Sequence, residues 1–308
     1  MSSPDPPVRL GTLTPATRTA LEAAGLDPTS VEQTARLTAA EDLALGPDVT
    51  TLATVPAGAV AVGDVVARSA GVIAGLAAAT AVLDIMGDNQ LTVTALRRDG
   101  ETVSPGDAVL RVSGPTRALL TSERSMLNIL CRLAGVATLT RCWVEAVAGT
   151  GVVVRDTRKT TPGLRSLEKY AVRCGGGQNH RMALGDQALI KDNHIAAAGG
   201  VRAAFERVRA LAPDITLEVE CDTVEQVREA IAAGATLVLL DNMDLDHLRA
   251  AVAVARTAGA AGTVRLEASG RLSLDRARVV AETGVDYLAV GALTHSAPIL
   301  DLGFDLQP

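Results

Sequence analysis

The sequence predicts an α/β fold, a parallel sheet crossed over by helices, preceded by an α+β half. Three patterns predict it. From about residue 152 onward, six short apolar runs alternate with helical patterns. Alternation of that kind implies parallel strands joined by helical crossovers. Nearly every run ends in polar or ionisable residues. That favours a closed barrel, whose chemistry gathers at the carboxyl ends of its strands, over an open sheet with one main switch point. In the first half, by contrast, short strands are separated by tight-turn sequences.

The elements follow in order. Residues 1–12 read as a loose leader, and Met1–Arg9 lacks the charged and apolar regions of a signal peptide. Helical spacing covers 13–24 and 29–45, with Asp27 and Thr29 as candidate caps. Val60, Val62, Val65 and Val66 read as strand, as do Leu91–Leu96 and Ala108–Val112. Asp99-Gly100 and Pro105-Gly106-Asp107 supply turns, and Gly75–Met86 reads as a helix. A long helical region runs from Thr116 to Val147, with a break expected near Gly135. Leu120, Leu127, Leu130, Ala134 and Ala137 share one of its faces. Strands are then expected at 152–156, 187–190, 216–220, 236–240, 263–268 and 286–290. Helices are expected at 165–173, 201–211, 223–233, 245–258 and 273–283. Six strands are fewer than a complete barrel holds. The barrel is therefore either incomplete or contains a strand that the pattern does not reveal.

Composition narrows the function. With 308 residues, 48% of them apolar, the chain has room for one large domain and a smaller one. Aromatics make up only 2%, too few for the stacking that single-stranded nucleic acids require. A net charge of −6 leaves no basic footprint for DNA or RNA, although a local cationic pocket can still concentrate an anion. Cys131, Cys142, Cys174 and Cys221 form no C-x-x-C pair and read as reduced thiols, which points to the cytoplasm. The longest apolar stretches are interrupted by Asp, Arg or Gly, so no membrane span is expected.

The chemistry concentrates at the strand ends. Arg155, Arg158 and Lys159 crowd one strand exit, and a glycine triplet, Gly175–Gly177, precedes Asn179-His180-Arg181. Guanidinium groups bind carboxylate or phosphate through paired hydrogen bonds, while lysine supplies a point charge. This segment therefore suits a small dicarboxylate or a phosphorylated substrate; a solvated charged loop is the competing reading. Lys191 follows the run Ala188-Leu189-Ile190. It binds an anion, forms a Schiff base, or snorkels from the sheet edge. Glu218 and Glu220, two residues apart, face the same side of one strand, the expected barrel interior, and Asp241 ends the next. Such carboxylates suit Mg²⁺ shared with substrate phosphates, a cationic sugar, or internal ion pairs. Ser269-Gly270 and Gly291 end the last two strands, where exposed N–H groups can receive phosphate oxygens.

These blocks, in order, resemble the quinolinate phosphoribosyltransferase family. The resemblance rests on Arg155–Gly163, Lys169–Arg173, Gly175–Gly177 with Asn179–Arg181, and Leu189–Ile195. It continues through Glu218-Val219-Glu220, Leu239–Asn242, Leu266–Gly270 and Gly284–Ser296. Earlier in the chain Glu41-Asp42, Asp48–Thr51, Ser122-Glu123-Arg124 and Asn128 also match.

The resemblance implies an incomplete β/α barrel over 128–293. It also implies an N-terminal α+β open-faced sandwich over 1–127, to which 294–308 returns. It implies transfer of the phosphoribosyl group of phosphoribosyl pyrophosphate to quinolinate with decarboxylation, using Mg²⁺, in a homodimer or higher homo-oligomer with shared active sites. Arg124, Arg158, His180, Arg181 and Lys191 would bind quinolinate, Arg124 across a subunit boundary. Lys159 would lie between the two substrates, Glu220 and Asp241 would face ribose and metal, and Ser269, Gly270 and Gly291 would hold the 5′-phosphate. Arg271 stands where the family more often has a small residue. Three rival readings remain open: a Schiff-base aldolase using Lys191, a relative of the same fold with another nitrogenous acceptor, and a non-catalytic binding protein.

Overall fold

The structure, a computed structural model, describes residues 9–257 and 263–307. Most of the expected leader and the final residue of the helix expected over 245–258 lie outside the described residues. The chain opens with helices α1 (Pro15–Ala23), α2 (Pro28–Leu43) and α3 (Val49–Thr54). Strands β1 (Val60–Ala67) and β2 (Gly71–Val72) lead to α4 (Leu76–Met86). Then come β3 (Thr92–Ala95), β4 (Thr102–Val103), β5 (Ala108–Pro115) and α5 (Thr116–Ala146). β6 (Val153–Arg155), α6 (Arg165–Cys174), β7 (Ala188–Ile190), α7 (Asp192–Ala198) and α8 (Val201–Leu211) follow. The remainder is β8 (Leu217–Cys221), α9 (Val224–Ala232), β9 (Leu237–Asp241), α10 (Leu245–Thr257), β10 (Arg265–Ser269), α11 (Ala277–Ala281), β11 (Tyr287–Ala289), α12 (Ala292–His295) and β12 (Leu302–Leu306).

Two compact units result. One combines the residues up to Leu139 with Thr161–Gly176 and the residues from Ala297 onward; the other combines Thr140–Thr160 with Gly177–Ser296. In the first, an antiparallel sheet runs in the order β12-β1-β5-β3. β1 sends Val65 and Ala67 inward, as period-two alternation requires. Its Asp64 stands opposite Arg111 of β5 and accepts two hydrogen bonds from it, at 2.7 and 2.8 Å. Helix α4 is apolar almost all round and correspondingly buried. Its buried Asp84 accepts from the Thr14 N–H and hydroxyl at 2.9 and 3.0 Å, which fixes the start of α1.

Three sequence expectations need correction. Asp27, not Thr29, caps α2: its carboxylate accepts the N–H groups of Thr29 and Ser30, which places Thr29 inside the first turn. The long helix does not break at Gly135; α5 runs unbroken for 31 residues. The glycine serves packing instead. A Cβ there would meet Pro298 O at 2.0 Å and Ile299 Cα at 2.9 Å, so only glycine lets that backbone lie against the helix. The helix expected over 273–283 is divided into a 3₁₀ turn, Leu274–Arg276, followed by the short α11. Helices α3 and α7 were not anticipated. No residue of α7 is buried, so it carries no apolar periodicity to read.

The second unit holds a six-stranded parallel sheet in the order β6-β11-β10-β9-β8-β7. Its end strands do not pair with each other among the described residues, so the barrel is incomplete. One isolated parallel bridge, Arg155 to Gln178, extends the sheet beyond β6. Val154, Ile190, Val219, Val238, Leu240, Leu266, Ala268 and Leu288 are buried and form one side chain layer. The alternate residues form the other. The register sets Ser269 opposite Asp241, Glu267 opposite Leu239, Leu239 opposite Glu220, and Ala289 opposite Arg155. One sheet face thus carries the ionisable residues that the strand-end pattern singled out.

Candidate active site

The loop after β6 is anchored from within. Asp156 is fully buried and accepts from the His180 N–H at 2.9 Å and from Asn179 Nδ2 at 2.6 Å. The Gln178 N–H donates to Val154 O at 2.9 Å, so Gln178–His180 runs alongside β6. Asp156 therefore aligns the basic loop 157–159 with His180 and Arg181. Its neighbour Arg155 turns away from ligand binding. It donates to the buried Glu267 at 2.8 Å and stacks on the Tyr287 ring at 3.6 Å.

His180 stands at the centre of a buried acid–base network. Its Nδ1 accepts the Arg181 N–H at 2.8 Å, which leaves the proton on Nε2, 2.7 Å from Glu218 Oε2. Glu267 Oε1 lies 3.5 Å from the same nitrogen, and Gln187 Nε2 donates to Glu218 at 3.1 Å. Burial opposes a charged imidazole, yet the Glu218 hydrogen bond and the Glu267 charge outweigh it and raise the His180 pKa. Burial, reinforced by the Glu218 charge, pushes the Glu267 carboxyl up to about 7. This trio has the donor types of a metal site. Arg155, however, already supplies the positive charge at Glu267, as a structural ion pair would.

A cavity of about 580 Å³ opens on this face of the sheet. Arg158, Lys159, Arg181, Lys191 and Arg271 bring five cationic side chains to its wall, against the carboxyl groups of Glu220, Asp241 and Glu267. His180, Thr157 and Asn242 also line it. Burial and the charge of Arg158 lower the Arg181 pKa, the mark of guanidinium groups held together for an anion. Lys191 Nζ donates to Glu220 at 2.8 Å and is itself exposed. A Schiff-base lysine needs desolvation or a cationic neighbour, so this pairing speaks against the aldolase reading.

The ends of β9 and β10 form a second corner. Asn242 Nδ2 donates to Asp241 at 2.6 Å, and the Asn242 N–H donates to Ser269 O at 3.0 Å. Gly270 sits at φ +83°, and a Cβ there would lie 2.3 Å from Asn242 Oδ1. Only glycine allows this approach. Gly291 packs on Lys159, whose Cδ would be 3.1 Å from an added Cβ, and the Thr294 hydroxyl donates to Lys159 O at 2.8 Å. Ser269, Gly270 and the strand-end carboxylates thus share one cavity with the cationic cluster.

Comparison with known proteins agrees with this arrangement. Residues 48–134 match the family model for the quinolinate phosphoribosyl transferase N-terminal domain, and residues 136–305 match that for the C-terminal domain. The chain belongs to the quinolinate phosphoribosyltransferase family. Nicotinate-nucleotide pyrophosphorylase [carboxylating] of Mycobacterium leprae is 54% identical over 267 residues, covering 86% of this chain and 93% of that protein. The probable enzyme of that name from Bacillus subtilis is 41% identical, over 79% of this chain and 82% of its own. The solved nicotinate-nucleotide pyrophosphorylase of Francisella tularensis superposes with a TM-score of 0.85 at 35% identity, covering 91% of this chain and 96% of that one.

Within this family frame, the cavity gathers Arg158, Lys159, His180, Arg181, Lys191, Glu220, Asp241, Ser269 and Gly270, all singled out by sequence. Gly291 abuts Lys159 without lining the cavity. Arg124 is exposed on α5, in the other compact unit. Sequence reasoning did not assign Thr157, Asn242 or Glu267 to the site. Their signal was position at a strand end, since Thr157 lies just beyond β6, Asn242 follows β9 directly, and Glu267 shares the interior face of β10. A smaller cavity of about 300 Å³ between β7, α7 and α8 is lined mainly by alanine, leucine, isoleucine and valine, with no comparable convergence of charge.

Proposed function

We propose that the chain transfers the phosphoribosyl group of phosphoribosyl pyrophosphate to quinolinate with loss of carbon dioxide. The products are nicotinate mononucleotide and pyrophosphate, a step of de novo NAD synthesis. One observation carries this reading. A cluster of lysine and arginine side chains faces carboxylates and a glycine-bearing phosphate loop around a single cavity large enough for both substrates.

The charges explain the arrangement. Both substrates are anions, and bringing them together is costly unless cations intervene. Arg158, Arg181 and Lys191 take the quinolinate carboxylates, and His180 holds the Arg181 backbone beside them. Lys159 stands between quinolinate and the phosphoribosyl group. Ser269 and Gly270, with Gly291 behind Lys159, receive the 5′-phosphate. As pyrophosphate leaves C1 of the sugar, positive charge develops on the ring, and Glu220 and Asp241 stabilise it as preorganised anions. The pyridine nitrogen attacks C1 and becomes cationic. That charge stabilises the carbanion left at the adjacent ring carbon when its carboxylate departs as carbon dioxide, and a proton from solvent takes the carboxylate's place.

The donor set fits Mg²⁺. Glu220 and Asp241 offer hard carboxylate oxygens on the cavity wall and would hold the ion there together with substrate phosphates. Bound there, it would supply charge neutralisation for pyrophosphate as a leaving group. The exposed Arg124 fits a role across a subunit boundary, in a homodimer or higher homo-oligomer. Four free cysteines fit a cytoplasmic setting, and no described helix is long and apolar enough to cross a membrane. The deciding assay incubates the purified protein with quinolinate, phosphoribosyl pyrophosphate and Mg²⁺. Quinolinate-dependent release of carbon dioxide with formation of the mononucleotide supports the reading, and failure of both products refutes it.

A further inference from the structure

The cations of the cavity are unevenly placed. Arg158, Lys159, Arg181 and Lys191 follow β6, the segment beside it, and β7. The corner at the ends of β9 and β10 offers the neutral donors of Ser269 and Gly270 beside the acidic Asp241. A phosphate monoester carries close to two negative charges at neutral pH. One cation of the main cavity stands at that corner, while a second, Arg276, lines only an adjoining cavity. Arg271 directly follows Gly270, is exposed, and lines both the main cavity and the adjoining one of about 220 Å³ that shares Asn242, Ser269 and Gly270. Among the described residues its guanidinium makes no hydrogen bond or ion pair. Many of the chain's other arginines, including Arg111, Arg132, Arg155, Arg256 and Arg265, are paired with carboxylates.

The backbone marks the same residue. Arg271 has φ +41°, one of four non-glycine residues on the positive side among the described residues. That region is uncommon for a side chain of this size, and outliers of this kind concentrate where a ligand is held. With Gly270 at φ +83°, two successive left-handed residues turn the chain at the cavity rim.

We propose that Arg271 binds the 5′-phosphate of the sugar donor and so sets affinity for that substrate rather than for the pyridine. The proposal rests on the functional reading above. A guanidinium suits the role because it meets two phosphate oxygens at once.

The test compares R271G and R271K with the unaltered protein. Glycine accepts φ +41° without strain, so R271G removes the charge while easing the backbone. The KM for phosphoribosyl pyrophosphate should rise roughly tenfold or more in R271G, as expected for loss of a charged hydrogen bond. R271K should recover part of it, and the KM for quinolinate should move by less than about twofold. Ribose 5-phosphate should inhibit R271G more weakly, while pyrophosphate inhibits both proteins alike. An unchanged KM for the sugar donor, an equal rise in both KM values, or weakened inhibition by pyrophosphate alone would overturn the proposal. Calorimetric titration of ribose 5-phosphate reads the same contact without turnover. An unaltered protein that binds ribose 5-phosphate better than R271G, yet makes no mononucleotide, would sink the functional reading and leave this one standing.

Discussion

His180 Nε2 lies 2.7 Å from Glu218 Oε2, and both side chains are buried. Together with Glu267 and Arg155 they place two carboxyl groups, one imidazole and one guanidinium in a poorly hydrated space. Arg155 offsets a single carboxylate. Full ionisation of both glutamates therefore requires a charged imidazole, and otherwise one carboxyl keeps its proton.

The pH dependence of stability should report that proton. Glu267 titrates near 7 in the native state, against 4.5 as its ordinary value. The native state holds the proton longer, so its stabilising contribution is complete below 4.5 and is lost as pH rises through about 7. The Glu267→Gln variant keeps the shape and removes the titration. Between pH 5 and pH 8 the unaltered protein should lose stability relative to the variant, read as urea midpoints. A difference that stays constant with pH would show that Glu267 ionises normally.

Arg158→Ala or Lys191→Ala should reduce quinolinate turnover by roughly 100-fold or more, the scale for removing a charged group that stabilises the reacting complex. Arg158→Lys should also impair it, because the planar two-point contact is lost. A loss below about threefold in steady-state kcat/KM would remove the residue from the site.

Gly270→Ala combines a forbidden approach to Asn242 with a backbone angle that alanine resists. The segment after β10 must shift, and misplacement of about an ångström at a binding site costs on the order of 100-fold in rate. The expected result is a low kcat/KM for phosphoribosyl pyrophosphate with unchanged near-ultraviolet dichroism. Full activity would show that the loop relaxes freely.

Gly135→Ala should destabilise the protein by about 1–3 kcal/mol through overpacking of α5 against Pro298 and Ile299. Gly58, which has nothing within 4 Å of an added Cβ, is the control, and its alanine variant should stay within about 0.5 kcal/mol. Denaturant midpoints for the two variants that coincide would contradict the packing argument.

Much of this arrangement was legible in the amino-acid sequence because burial leaves a periodic trace. The six parallel strands showed as apolar runs, and the spacing of Glu218 and Glu220 placed both on one face. Partnership leaves no such trace. Arg155 looked like a member of an anion-binding cluster, yet its guanidinium belongs to Glu267 and Tyr287, residues more than a hundred positions away. Asp156 directly follows a strand, as many of the site's ionisable residues do, and it is the anchor of Asn179 and His180. Gly135 looked like a helix breaker because its reason lies in a distant segment of backbone. Helix α7 buries none of its residues, so it was silent. In each case the missing information was the identity of a remote neighbour.

The pairing of β1 with β12 has a consequence for synthesis. Arg68, just beyond β1, and its β12 partner Asp305 are separated by 237 residues. A ribosome needs roughly 10 to 50 s to add that many. Throughout that interval the nascent chain carries β1 with one edge bare, a template for unwanted strand addition. Chaperone cover of the emerging polypeptide, or slow late closure of its first sheet, would be the cellular counterpart of this topology.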